Sequence, residues 1–145
     1  MRLDPPVCHE RMAASRVARL ASVGSDQRPH VVPVTFALDG DRLVTAIDQK
    51  PKSTTVLKRL KNIAENPLVT VLCDHYEDDW TRLWWVRADG SAAIVTEGDV
   101  WRGAIASLTA KYHQYAVDPP RGPAIVVTIE SWSGWSPEQP ARLSR

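Results

Sequence analysis

Residues 42–66 read RLVTAIDQKPKSTTVLKRLKNIAEN: a strand, a basic turn and a helix, in that order. The first six residues are mostly apolar, rich in β-prone types, and predict a strand over 42–47. From Thr54 onward, Val56, Leu60, Ile63 and Ala64 recur at the spacing of an amphipathic helix running to about residue 66. Ser53 or Thr54 is suited to cap that helix, and Asn66-Pro67 stops it. Between strand and helix lies Lys50-Pro51-Lys52-Ser53. Two ammonium groups, a hydroxyl and the unpaired N–H groups of a helix start are thereby gathered in one turn, which suits a phosphate. The same residues also make an ordinary solvated basic turn. The residues around them decide between the two.

Upstream, residues 10–14 read as a short helical lead-in, and 16–23 alternate as a strand that is turned by the polar run 24–29. Residues 30–38, rich in Val31, Val32, Val34, Thr35 and Phe36, predict a second strand. Pro33 removes a ladder donor from it, which places the strand at an edge or bulge where backbone can face a ligand. Asp39-Gly40 signals a hairpin into 42–47. Downstream, 68–73 is an apolar strand followed by the acidic run 74–79 and Trp80. Residues 83–95 read as strand, interrupted at Asp89-Gly90 either by a hairpin turn or by a bulge in one long strand. Residues 100–112 predict a second helix with Trp101, Ala104, Ile105, Leu108 and Tyr112 on one face. A proline-rich loop, 118–123, precedes a last strand over 124–132, and 133–145 reads as a polar irregular tail.

This pattern implies one domain over 1–145, with a helical lead-in over about 1–15 and the tail over about 133–145. It is mostly β with two or three helices, in the order β-β-β-α-β-β-α-β with hairpin connections. That is not the alternating order of a doubly wound fold. With no G-x-G-x-x-G among seven glycines, the sequence gives no sign of a nicotinamide-dinucleotide domain. A net charge of +1 provides no basic field for nucleic acid or an anionic membrane. No apolar run approaches the ~20 residues of a membrane span, and residues 1–6 lack the apolar core of a signal peptide. Cys8 and Cys73 are far apart in sequence, so a reduced, cytoplasmic protein is expected, with Cys73 a buried core thiol. Six tryptophans stand against one phenylalanine, and adjacent Trp84 and Trp85 on a strand must face opposite ways. One of them therefore serves a second interface or a ligand face.

The ordered set Arg19 to Gly24, Arg28-Pro29-His30, Val32-Pro33-Val34, DQKPKS over 48–53, LKNIAENPLV over 60–69, Asp74-His75-Tyr76 with Trp80, and Gly122-Pro123 spans roughly 16–135. In this set the chain resembles the split β-barrel flavin and deazaflavin oxidoreductases, the pyridoxamine-phosphate-oxidase-like superfamily, and within it the coenzyme F420-dependent branch. The resemblance implies a six-stranded split β-barrel and a homodimer with each cofactor in a groove between subunits. It assigns Lys50, Lys52, Ser53 and Thr54 to the phosphate turn, and Val32, Pro33 and Val34 to the sugar-alcohol chain and ring. It places Thr45, Ala46, Ile47 and Asp48 along the ring edge and brings Trp80 from the opposite subunit. The cofactor it implies is F420, with FMN the alternative. F420 adds an oligoglutamate tail, for which Lys58, Arg59 and Lys61 are available on the helix, although a charged helix face is more often merely solvated.

The implied activity is hydride transfer from reduced F420 to a conjugated small-molecule acceptor of tetrapyrrole, quinone or enone type. The alternatives are an FMN-dependent oxidase or reductase and a non-catalytic flavin-, deazaflavin- or haem-binding protein. Arg82, Arg87 and Lys111 are candidates for stabilising charge on the acceptor, and no residue presents itself as a catalytic acid. The acidic run 74–79 lacks a second histidine at ligand spacing, so it reads as a solvated loop rather than a metal site.

Overall fold

A computed structural model of the chain describes residues 1–47 and 54–137, with 54–57 as backbone only. Helix α1 (Pro5–Ala14) is followed by strands β1 (Ala18–Val23), β2 (Pro29–Val34), β3 (Ala37–Asp39) and β4 (Arg42–Ala46). Helix α2 (Thr54–Glu65), β5 (Leu68–His75), a 3-10 turn (Trp80–Arg82) and β6 (Trp84–Val95) come next. The described chain closes with α3 (Gly98–Lys111), the short α4 (His113–Val117) and β7 (Ala124–Trp135). No helix among the described residues is long and apolar enough to cross a membrane.

All seven strands form one antiparallel sheet in the order β2-β1-β5-β6-β7-β4-β3. Its two end strands are consecutive in sequence. Laid flat, six strand spacings would put them about 29 Å apart, yet Val34 and Ala37 are joined by a link that reaches at most about 11 Å. The sheet must therefore curl until its ends nearly meet. It is a barrel, split between β2 and β3, where no ladder forms. This closure breaks the strand expected over 30–38 into two at Thr35-Phe36 and raises the count from six strands to seven. Pro33 accordingly sits on an edge strand, where its missing N–H costs no ladder bond.

Alternation along β1, β5 and β6 fills the barrel interior with Leu20, Val71, Cys73, Val86 and Ala88, joined by Phe36, Leu43, Ile47, Ile125 and Val127. A second apolar layer lies outside β4 and β7, where Val44, Ala46, Ala124 and Val126 meet Ala104, Leu108 and Tyr112, with Trp101 and Ile105 against it. The face expected of the 100–112 helix is thus the one that packs. Between Asp39 and Arg42, which pair, Gly40 takes φ +61° at the first turn position, where a two-residue hairpin favours glycine.

Residues 83–95 hold no hairpin: β6 runs unbroken through Asp89-Gly90, and its partner β7 carries the extra residue, Glu130, between paired Ser131 and Ile129. β7 continues through Trp135, so residues 133–135 are strand rather than tail. The start of that expected tail is pinned by Leu3 N–H donating to Gly134 O at 3.0 Å and the amino terminus donating to Ser136 O at 2.6 Å. Trp84 and Trp85 do face opposite ways. Trp84 packs against the barrel core beneath Arg11, and Trp85 stands on the outer face, paired with Trp135.

Candidate functional site

The split in the barrel brings together two groups of the sequence-predicted residues, 32–34 and 45–47. On one side runs the free edge of β2. Val32 is half-buried against the barrel core, Pro33 is exposed, and Val34 is buried. On the other side is the end of β4. Strand β3 covers β4 only as far as the Ala37–Val44 pair, so Thr45, Ala46 and Ile47 extend beyond it. Thr45 and Ile47 are each 1% exposed, Ile47 in the barrel core and Ala46 in the outer layer. The Thr45 hydroxyl donates to Thr35 O at 2.7 Å, and Ile47 N–H donates to Pro123 O at 2.8 Å. These side chains are committed to the protein. What the end of β4 can offer a ligand ring is backbone.

Asp48, Lys50, Lys52 and Ser53 lie outside the described residues, as does the side chain of Thr54, whose backbone opens α2. The three cations expected on the solvated face of α2 have separate fates. Lys58 pairs with Asp26 in the β1–β2 turn at 2.6 Å, and its hydrogen bond holds that carboxyl below the usual carboxylate range. Lys61 is exposed. Arg59 is only 9% exposed, its Nε has no hydrogen-bond partner among the described residues, and burial lowers the pKa of its guanidinium. The helical wheel put Arg59 in solvent, but α2 turns this face toward the β1–β2 hairpin. There Asn62 donates to Ser22 Oγ at 3.2 Å and Glu65 accepts from Ser25 N–H at 2.9 Å. A buried guanidinium with an idle donor is suited to an anion.

Trp80 is 76% exposed on its 3-10 turn, outside the buried core. Asp79 caps that turn through Thr81, and Glu77 joins His75 and Arg82 beside it. The three candidate charge stabilisers also differ. Arg82 pairs with Glu77, and Arg87 pairs with Asp89 at 3.3 Å beneath the Trp85 ring. Lys111 Nζ is buried with no acceptor among the described residues, 3.8 Å from the Phe36 ring centre, and burial pushes its pKa down to about 8.

Two groups escaped the sequence. Tyr112 falls on the apolar face of α3 as expected, but its hydroxyl takes up the backbone of Phe36 at the barrel split. Tyr115 likewise meets Thr35 Oγ1 at 2.9 Å. An i, i+3 tyrosine pair ending an amphipathic helix was the available signal, since a buried phenol needs a partner.

None of the curated proteins matches the chain by sequence. Among solved structures, an FAD-binding protein from Mesorhizobium loti superposes with TM-score 0.69 at 23% identity, over 92% of this chain and 95% of its own. A conserved hypothetical protein from Mycobacterium tuberculosis gives TM-score 0.73 at 19% identity, over 98% and 94%. The haem storage protein HutZ from Vibrio cholerae gives 0.69 at 17%, over 94% and 95%. At these identities the likeness is one of fold. A family model described as pyridoxamine 5′-phosphate oxidase matches residues 5–136, nearly the whole chain. The split barrel, its edge strand and that match agree: the chain belongs to the pyridoxamine 5′-phosphate oxidase family.

Proposed function

We propose that the protein is an oxidoreductase that binds coenzyme F420 along the barrel split and transfers a hydride from its reduced form to a conjugated small-molecule acceptor. Arg59 carries the proposal. It is a buried cation whose Nε has no partner among the described residues, on the helix that directly follows Lys50-Pro51-Lys52-Ser53. Side chains on a helix lean toward its N-terminus, so Arg59 adds to the cationic turn rather than to the far end of α2. Together these residues would hold the phosphate of a flavin-type cofactor. The free edge of β2 and the backbone of residues 45–47 would line its chain and ring. Family membership supports a flavin-type group. An FAD-binding protein and a haem storage protein occur on the same fold at low identity, and FMN is the nearest alternative.

When bound, the cofactor supplies the hydride chemistry. The chain's own residues bind the phosphate and orient the ring along the split, with the backbone of residues 45–47 and the edge of β2 against it. F420 is preferred over FMN because exposed Lys61 lies on α2 beyond Arg59, where it suits a carboxylate-bearing tail; Lys58 is engaged by Asp26. We also propose a homodimer in which Trp80, projecting from its own protomer, completes the partner's site.

Fluorescence titration of F420 and FMN into the purified protein tests this, with absorbance of the protein as isolated separating deazaflavin, flavin and haem. F420 is expected to bind more tightly, with a steeper fall in affinity as salt rises, because exposed charge pairs are screened over about 8–10 Å. Arg59→Met and Lys52→Ala should each weaken binding of either cofactor roughly ten- to a hundred-fold. Arg59→Met should at the same time leave stability unchanged or raised, since it removes an unpaired buried charge. Wild-type affinity for both cofactors in both variants would return the turn and Arg59 to a structural role. Tighter FMN binding, with FMN retained through purification, would favour a flavin enzyme.

A further inference from the structure

We infer that Thr45, Tyr112 and Tyr115 are positioning residues that fix the width of the barrel split and so shape the cofactor site. This rests on the cofactor reading above for its functional half and on the structure alone for its mechanical half.

In a closed barrel, strand neighbours would satisfy the backbone groups of Thr35 and Phe36. The split removes those neighbours, and buried backbone must still be paired. Two side-chain hydroxyls from two other parts of the fold take over that backbone, and a third holds the Thr35 side chain. Thr45 Oγ1, from β4, donates to Thr35 O at 2.7 Å. Tyr112 Oη, just after α3, accepts from Phe36 N–H at 3.0 Å. Its single proton is directed at Phe36 O or at Arg16 O, each 2.9 Å away, and Arg16 leads into β1. Tyr115 Oη, from α4, meets Thr35 Oγ1 at 2.9 Å.

The two tyrosine rings brace each other edge to face, 5.7 Å apart. Arg16 stacks 4.8 Å from the centre of the Tyr112 ring, and Lys111 Nζ covers Phe36. The two-residue link between β2 and β3 is thus held simultaneously from β4, from α3–α4 and from the lead into β1. Val34, one residue before the link, and Ala46, one residue after Thr45, belong to the two lips of the proposed site. Their separation is set by these hydroxyls and by no strand ladder.

Amide hydrogen exchange and cofactor titration on the full chain test the two halves. Thr45→Val keeps the shape of the side chain and removes its donor, Thr45→Ser keeps the donor, and Tyr112→Phe removes the hydroxyl alone. In Thr45→Val and Tyr112→Phe, amides of residues 34–37 and 45–47 should exchange roughly three- to ten-fold faster, as expected for loss of one hydrogen bond. Amides of β5 and β6 should keep their protection, and Thr45→Ser should behave as wild type. Affinity for F420 and FMN should fall by a similar factor, with a shifted spectrum of the bound cofactor, and Thr45→Ser should restore both. Unchanged local exchange in both variants would overturn the inference. So would wild-type affinity and spectrum, with the only effect a uniform loss of stability. If the wild-type protein binds neither cofactor while local exchange responds as stated, the cofactor proposal fails and the hydroxyl clamp stands.

Discussion

Lys111 shows how one buried group can set the pH behaviour of the fold. Its ammonium has no hydrogen-bond acceptor among the described residues, and Arg16 nearby adds like-charge repulsion to the cost of burial. The Phe36 ring favours the cation by about 0.5–2 kcal/mol, which offsets part of that cost; the net effect still pulls the pKa from 10.5 to about 8. The unfolded chain therefore holds this proton more tightly than the folded one. Stability associated with Lys111 is complete above pH 10.5 and is lost as pH falls towards 8. Cys73, raised to about 11 by burial, and Tyr112, also raised, act in the opposite sense, because the folded state keeps their protons. The difference between wild type and Lys111→Met isolates the lysine. Measured by urea unfolding, the variant should gain most over wild type at pH 7–8, and the gain should shrink steadily toward pH 10. A difference independent of pH would show that Lys111 titrates as an ordinary lysine.

At the level of elements, β6 and β7 are the longest strands, and their pairing depends on Gly90. A Cβ there would lie 2.2 Å from Thr128 O, a backbone atom. Thr128 cannot retreat, because on its other side it pairs with Arg42 of β4. Gly90→Ala should therefore cost about 3 kcal/mol or more in urea unfolding. Gly103→Ala is the natural contrast, since its Cβ meets nothing within 4 Å on an exposed turn of α3. It should stabilise by about 0.5–1 kcal/mol. Equal stability of Gly90→Ala and wild type would mean that β7 can shift at its bulge.

Gly90 also marks what sequence could tell. Period-two alternation in β1 and β5 and the wheel of α3 were legible, because each depends on one element and one buried face. The Asp89-Gly90 pair was ambiguous, because the glycine answers to a strand forty residues on. The break at Thr35-Phe36 was invisible within a β-branched run, since it arises from closure of the whole sheet. Pro33 at an edge was legible from the missing donor alone. Arg59 was misplaced for a similar reason to the break: a helical wheel knows which residues share a face, not what packs against it. The phosphate turn was read from composition, and its residues 48–53 lie outside the described ones.

On the scale of the whole molecule, the register defines a broad outer face across β2, β1, β5, β6 and β7. Pro33, Arg19, Leu72, Arg87 and Ser133 form one row across it, and Asp74, Trp85 and Trp135 begin another. Several polar groups on this face are paired with one another. Thr70 donates to Asp89 at 2.7 Å, and Arg87 reaches both Asp89 and Ser133. Mutually paired polar groups among aromatics can be covered at less cost than free charges, and Arg19 and Asp74 would have to meet polar groups of the covering surface. Val31, 60% exposed, extends the apolar surface to the sheet edge. Monomers seldom leave such a patch open, and a second copy with two-fold symmetry would meet it with the same patch. A dimer in solution is therefore expected at micromolar concentration by sedimentation. Trp85→Glu, which places a carboxylate opposite Trp135 without touching the barrel interior, should shift the protein to monomer. If the site is shared between subunits, this variant should also lose most of its affinity for F420 and FMN, although it lies far from residues 48–53 in sequence. A wild-type protein that sediments as a stable monomer would defeat the dimer and the shared site together, whereas a monomeric Trp85→Glu that binds cofactor normally would place the whole site within one chain.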